Sequence, residues 1–456
     1  MTKTEPWDAV VIGAGFAGVT AARDLRKAGK TVLLLEARDR VGGRTWSRPW
    51  RGSGAEAPQV ELGGTYINPT LQDSVRAEME RYGIEAVDAL GIDQYVWELD
   101  GELLSGFPIP FEEIQGFETA LYELKRNALR VPFGGPLPAD VEELDIPVAE
   151  FFDRLDIGPK TRDLLLAWFD MYGGVPSETG SMLQNLWSIN GLGSSPWSML
   201  SVVGKKIAGG TGALIEAILA DADVELRLET VVTSVAQDDF GVTVTTAAGE
   251  RITAATVVVA VPVNCWAEIA FTPALDAPKT TMAQEKHRCL VRKVMIETKG
   301  APAAFTLSRT PSSFASLVPD ATYGEHTLFA GFAVLDGTLD LTDLEVVQGM
   351  ISRTFPGAVV TGIDEHNWGT DPYSQGAMIA FDSGRAFPLM ENLAGGEGRV
   401  SFAGSDIALR WHAWIDGAIE SGREAAARSL GILDGIDGID GPDGIDVAKI
   451  DAKVVA

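Results

Sequence analysis

The feature that most constrains this chain lies near its start, where the β-branched run Val10 to Ile12 passes directly into Gly13, Gly15 and Gly18 in G-x-G-x-x-G spacing. Ala- and Leu-rich helical sequence follows. One glycine makes a tight turn, the next lets backbone approach a pyrophosphate, and the third lets helix and strand pack closely, while the helix N-terminus offers free N–H groups and a partial positive charge. A second strand, Thr31 to Leu35, ends in Glu36, 18 residues after Gly18. That is about where an acid must sit to accept hydrogen bonds from ribose hydroxyls. The competing reading is an ordinary βαβ unit with a glycine turn and a surface glutamate. The pattern predicts an α/β fold with a Rossmann-type dinucleotide-binding part.

Ala37, Arg38, Arg40, Gly42, Gly43 and Arg44 come immediately after the acid. A nicotinamide-binding unit has no need of this second glycine pair, whereas a larger cofactor does. The segment LEARDRVGGRTWS, with ELGGTYINP at 61 to 69 and FAGSDIALRWHAWIDGAIESGREAA at 402 to 426, resembles the flavin-containing monoamine oxidase family, with the likeness running from about residue 8 to about residue 430. The resemblance implies noncovalent FAD. Arg44 and the Gly42-Gly43 backbone would lie near its pyrophosphate. Gly63, Gly64, Thr65 and Tyr66 belong to the second motif, and Gly404, Ser405, Asp406 and Ile415 to the last. Val232 matches a strand whose backbone holds the adenine side, and Trp368 a tryptophan at the flavin. Ala377 stands where mammalian members carry the cysteine that bonds the flavin. Neither Cys265 nor Cys289 replaces it by position.

The same resemblance implies a Rossmann-type FAD-binding domain interleaved with a mixed-sheet and helical substrate domain. Residues 1–70, 201–262 and 386–430 are read as the former, 71–200 (mostly helical) and 263–385 as the latter, and 431–456 as a Gly/Asp-rich tail without chemistry. A chain of 456 residues with 46% hydrophobic content has enough apolar sequence for a large shared core. Its net charge of −27 argues against nucleic acid and anionic membranes as partners. The sequence lacks an 18-residue apolar run and a signal-peptide pattern, so a cytoplasmic protein is expected. Two cysteines suggest reduced core thiols. No histidine and carboxylate cluster has metal-ligand spacing, and no metal is expected.

In the family, an amine is oxidised at the flavin to an imine that water hydrolyses to an aldehyde or ketone, and O2 is reduced to H2O2. The amine must react neutral and in a dry pocket, which predicts an apolar, aromatic-lined cleft without a carboxylate beside the amine. Lys293 lies where the family places a lysine that holds a water near the flavin; the competing reading is a strand lysine reaching solvent. Trp414 occupies one position of the aromatic cage and Met378 the other, so half the cage is replaced by a flexible thioether that would widen the slot. Tyr172, Leu200, Phe314 and Phe332 are weaker candidates for substrate contact. His412 replaces a small residue near the flavin; it is read as packing or hydrogen bonding away from the pocket, with a general base as the alternative. The expected substrate is a small, mostly apolar amine, cyclic, aromatic or nicotine-like. An L-amino-acid oxidase would need an arginine for the carboxylate, with Arg410 and Arg292 conceivable. A polyamine oxidase would need channel carboxylates, and a flavin desaturase would need neither Lys293 nor Trp414. The assembly stays open, a homodimer included.

Overall fold

The computed structural model describes residues 6–50, 58–198, 203–310, 313–334 and 339–435. Leu200 and nearly all of the Gly/Asp-rich tail lie outside them. The strand β1 (Trp7–Ile12) pairs in parallel with β2 (Val32–Leu35) on one side and with Arg251–Val259 on the other. Ile12 sits opposite both Leu35 and Val259, so three strands end level with Gly13. All four residues of β2 are buried, as expected where helices cover both faces of a parallel sheet. Glu225–Arg227, Val232–Asp238, Gly241–Thr246, Ala270–Thr272, Gly396–Glu397 and Val400–Phe402 complete nine strands.

The helix α1 (Phe16–Lys27) leaves the glycine turn and packs on the helix Ile415–Leu433. Close approach is possible because Gly422 faces the Ala17 backbone; a Cβ there would lie 2.4 Å from the Ala17 carbonyl oxygen. Gly18 is crowded in the same way, its would-be Cβ only 1.8 Å from the Gly13 oxygen.

A second sheet of seven strands orders Val359–Glu365, Val291–Lys299, His326–Val334, Ser316–Tyr323, Ala304–Ser308, Gln94–Leu99 and Glu102–Ser105. The last two come from the stretch expected to be mostly helical. Its helices are present, among them Asp73–Tyr82, Ile114–Ala128, Pro159–Gly173 and Met182–Gly191. The hairpin between them has a local cause in Asp100-Gly101, both at positive φ, which is the Asp-Gly dipeptide of a two-residue β-turn. The segment Gln94–Leu99 then finds a parallel partner in Ala304–Ser308, more than 200 residues away in sequence.

Along the helix Ile415–Leu433, Asp416, Glu420 and Glu424 recur at i, i+4 spacing on one face. Asp416 accepts a hydrogen bond from the Val75 amide at 2.8 Å, and Glu420 pairs with Arg410. Burial pushes the Asp416 carboxyl up to about 6 and, with Glu420 adding repulsion, Glu424 up to about 7. The folded state therefore holds the Glu424 proton more tightly than the unfolded chain does. Its favourable contribution is complete below the ordinary value of 4.5 and is lost as pH rises to about 7. Glu424→Gln is accordingly expected to raise Tm at pH 8 by about 2–4 °C and to change it little at pH 4.5. Paired thermal melts at the two pH values check this, and an equal shift at both would show that the gain does not come from the carboxyl proton.

Candidate active site

A cavity of about 700 Å³ runs between the two sheets, from the glycine turn after β1 to the loop before Ile415. At the first end Gly13, Gly15, Glu36, Arg38, Gly43 and Arg44 form its wall. Glu36 is held by two backbone amides, from Ala14 at 2.7 Å and from Arg38 at 2.9 Å. Both fix the carboxylate at the end of β2. The N-terminus of α1, whose cap residue Gly15 has no side chain to cap it, leaves N–H groups open toward the cavity.

Arg44 bonds Asp406 at 2.8 Å and Ser405 Oγ at 3.1 Å, which ties the second glycine pair to the last motif. Its other terminal nitrogen, Nη1, is buried and has no partner among the described residues. A buried guanidinium nitrogen without an acceptor calls for an anion. At the other end, the helix Ile415–Leu433 starts from Trp414 without a side-chain cap, and Ile415 and Ala418 line the wall. Two uncapped helix starts, one orphaned arginine nitrogen and backbone crowding that admits only glycine at Gly13 and Gly63 fit a long dinucleotide with a pyrophosphate and a reducible ring.

The sequence candidates divide clearly. Ala37, Gly42, Gly63, Gly64, Thr65, Tyr66, Val232, Trp368, Gly404 and Ser405 all line the cavity. Gly18 and Asp406 do not; Gly18 serves helix packing, and Asp406 is buried behind Arg44. Trp368 donates its indole N–H to the Leu62 carbonyl at 2.9 Å, which fixes the ring beside Gly63.

Lys293, Tyr172, Phe332, Met378 and Trp414 also meet at the wall. Lys293 projects from the strand Val291–Lys299 and donates to Thr65 Oγ1 at 2.6 Å and to the Gly63 carbonyl at 3.1 Å. It does not reach solvent. Burial lowers its pKa to about 8, with Asp320 and Glu61 working against the drop. Phe314 is a correction: the next residue along that strand, Val294, points the other way, and Phe314 packs with it in the core behind the sheet. There its ring lies 3.1 Å from where a Gly331 Cβ would be. Leu200 falls outside the described residues.

His412 packs, as expected, but not away from the pocket. It is part of the cavity wall, buried, and packed against Trp187 in a tilted arrangement with ring centroids 4.3 Å apart. Neither ring nitrogen has a hydrogen-bond partner among the described residues, and burial holds its pKa near about 4, so the ring is neutral. Both cysteines are free thiols, and burial pushes Cys265, in the wall, up to about 12. Among the described residues no group of histidine, cysteine and carboxylate side chains has metal-site geometry.

Sequence reasoning missed the polar face of the helix Met182–Gly191. Gln184, Asn185 and Ser188 reach the wall from it, at i, i+1 and i+4. Three polar side chains on a helix that also buries Leu183, Leu186 and Trp187 were the available signal. Met171, Val318 and Ile379 add to the apolar lining.

A family model described as flavin containing amine oxidoreductase matches residues 16–430. The chain belongs to that family. It is 34% identical over 420 residues to (S)-6-hydroxynicotine oxidase of Paenarthrobacter nicotinovorans, covering 91% of this chain and 97% of the relative. It is 33% identical to pseudooxynicotine dehydrogenase of a Pseudomonas species, covering 94% and 87%. Among solved structures, cyclohexylamine oxidase from Brevibacterium oxydans superposes with a TM-score of 0.82 at 20% identity, covering 94% and 100%, which establishes the shared fold. The cofactor of this family is a flavin, and no helix among the described residues is long and apolar enough to cross a membrane.

Proposed function

We propose that this chain is an FAD-dependent oxidase of a small, mostly apolar amine, with O2 as electron acceptor. The observation that carries the reading is the composition of the far end of the cavity. Tyr172, Met171, Val318, Phe332, Met378 and Trp414 stand there, and among the described residues the carboxylates in the wall are Glu36 and Glu268, which belong to other parts of it. A polyamine would require acids at that end. A carboxylate substrate would require an arginine, yet Arg292 is paired with Glu365 at 2.5 Å, Arg410 is paired with Glu420, and neither lines the cavity.

The bound flavin supplies the two-electron oxidation of the carbon–nitrogen bond. The protein's residues prepare the amine for it. An apolar wall without a carboxylate disfavours the ammonium and favours the neutral amine, whose lone pair drives the reaction. Trp414 presents an aromatic face on one side of the slot, and Met378, without a ring, leaves the other side wider and deformable. Lys293, held by Thr65 and the Gly63 carbonyl, fixes a cationic group where oxygen is reduced.

The glycine turn, Glu36, Arg44 and the residues of the two later motifs hold the cofactor. The binding is noncovalent, since Ala377 offers no sulfur and the Cys265 thiol stays protonated. We divide the chain with 1–70, 201–262 and 386–430 serving the cofactor and the remainder to residue 430 serving the amine, a division the two sheets follow except at Ala270–Thr272, a strand of the first sheet. Free thiols are consistent with a reducing, cytoplasmic location.

Anaerobic mixing with monoamines, diamines and amino acids tests the reading. Bleaching of the flavin by monoamines alone, reversed with peroxide formation on admitting air, is the expected result. Bleaching that air fails to reverse would assign a different acceptor, as the dehydrogenase name of one relative suggests for that protein. No bleaching by any amine would overturn the assignment. Trp414→Ala is expected to lower the rate of flavin reduction by the amine about 10-fold or more while leaving the flavin spectrum intact; undiminished reduction would make Trp414 a packing residue.

A further inference from the structure

Opposite Tyr66, outside the cavity wall, lies the ion pair of Lys206 and Asp320. The strand Ser316–Tyr323 pairs with His326–Val334 in regular register up to Pro319, opposite Phe329; the next pair is Ala321 with Leu328. Asp320 is the extra residue of a β-bulge. Pro319 has no N–H to continue the ladder, and a bulge re-aims the side chain it carries. Asp320 is buried and meets Lys206 Nζ at 2.9 Å.

Lys206 arrives from the strand Lys205–Ile207, where it stands directly opposite Tyr66. Tyr66 follows Thr65, the hydroxyl partner of Lys293, and its own buried hydroxyl has no partner among the described residues. Tyr66 and Lys293 line the cavity, and the Asp320–Lys206 pair lies outside its wall, on the strand opposite Tyr66 and the bulged strand.

We propose that Asp320, turned by the bulge and held by Lys206, is the positioning carboxylate that keeps Lys293 protonated in the dry cavity. The charged groups that act on Lys293 are Asp320, Glu61 and Lys206, while its own contacts are Thr65, next to Tyr66, and the Gly63 carbonyl. Glu61 is committed elsewhere: it accepts the Thr211 amide at 2.7 Å and the Ser47 and Thr211 hydroxyls, which anchor the start of the helix Gly210–Ala222. Lys206 repels Lys293 but also holds Asp320 in place. Asp320 is the first of the groups that support the charge. Lys206 pairs with the carboxylate and Lys293 feels it at a distance, so the changes at Asp320 and Lys206 have opposite signs. Removing the acid leaves two cations facing each other. Removing Lys206 leaves the acid to Lys293 alone.

This inference concerns the charge on Lys293 and depends on the proposed function only for what that charge does to oxygen. The test is therefore a titration of the FAD-loaded protein without any amine. Lysine ε-carbons are labelled with 13C, the Lys293 signal is identified by its loss in Lys293→Met, and its titration is followed by NMR. Asp320→Asn is expected to lower the midpoint by about one pH unit or more. Asp320→Glu should restore it, and Lys206→Met should raise it. A merely structural role predicts the reverse for Asp320→Asn, because loosening admits water and moves a buried lysine up toward its ordinary value. An unchanged or raised midpoint in Asp320→Asn overturns the proposal. Should that variant fail to fold, an unchanged or lowered midpoint in Lys206→Met does so. Failure of every amine to bleach the flavin would leave this result untouched.

Discussion

Lys293→Met is expected to bind FAD, to be reduced by an amine at nearly the normal rate, and to be reoxidised by O2 about 100-fold more slowly or worse. Reduction and reoxidation make opposite demands on charge. The amine must lose its proton to react, whereas oxygen gains negative charge as it accepts electrons, and a fixed cation in a water-poor site stabilises that charge strongly. Methionine has similar length and no charge, so cavity filling is retained while the cation and its bonds to Thr65 and the Gly63 carbonyl are lost. The wild-type rate has its own signature. With a pKa of about 8, Lys293 is cationic below that pH, and reoxidation should slow as pH rises through it. Stopped-flow measurement of the two half-reactions across pH 6 to about 10 separates the effects. If reoxidation keeps its rate in Lys293→Met, oxygen is activated elsewhere; if reduction falls equally, the lysine acts on the amine.

The first motif was legible because its chemistry is local. Glycine spacing, the following helix and Glu36 at the end of the second strand all lie within 36 residues, and the structure brings them to one end of the cavity. Lys293 was legible only through resemblance. Nothing in its own segment says whether it or Arg292 faces inward, and the answer comes from strand parity: Arg292 turns out to Glu365 while Lys293 turns to Thr65. Phe314 failed for a different reason. It lies in the loop just before the strand Ser316–Tyr323, where no periodicity tells which face a side chain takes, and here it packs in the core.

His412 was read rightly as packing, but its place in the wall was missed because its ring partner, Trp187, is 225 residues away in sequence, and only tertiary contact shows a buried imidazole in a wall. The hairpin at Asp100-Gly101 was there to be read and was hidden by the helical periodicity on either side. The Asp320 bulge has no comparable signature. A proline within a strand is compatible with an edge, a strand start or a bulge, and only the pairing register distinguishes them.

Gly15 and Gly18 stand three residues apart in one motif, and alanine at each is expected to fail for a different reason. A Cβ on Gly18 would lie 1.8 Å from the Gly13 oxygen and 3.3 Å from the Ala260 side chain, so α1 would have to move off the sheet. Both contacts are backbone or short side chain, with no flexible end to give way. Gly18→Ala should therefore lower stability severely, by about 3 kcal/mol or more, within the range of strong overpacking. A Cβ on Gly15 meets only the Gly43 Cα, at 3.8 Å, which is ordinary contact. Its φ of −79° suits alanine as well. Nothing in the protein resists Gly15→Ala. What the methyl occupies is cavity, beside the open N–H groups at the start of α1 where a pyrophosphate has to approach. The folded apoprotein should keep its Tm, while FAD affinity falls by about 10-fold or more as the phosphates are pushed from their donors. Thermal melts of the apoproteins and flavin titration of each variant separate the two cases. Tight FAD binding by Gly15→Ala would move the pyrophosphate away from this turn, and a normal melt for Gly18→Ala would mean that α1 can shift without cost. The same triplet thus answers two demands, one set by the ligand and one by the protein's own helix.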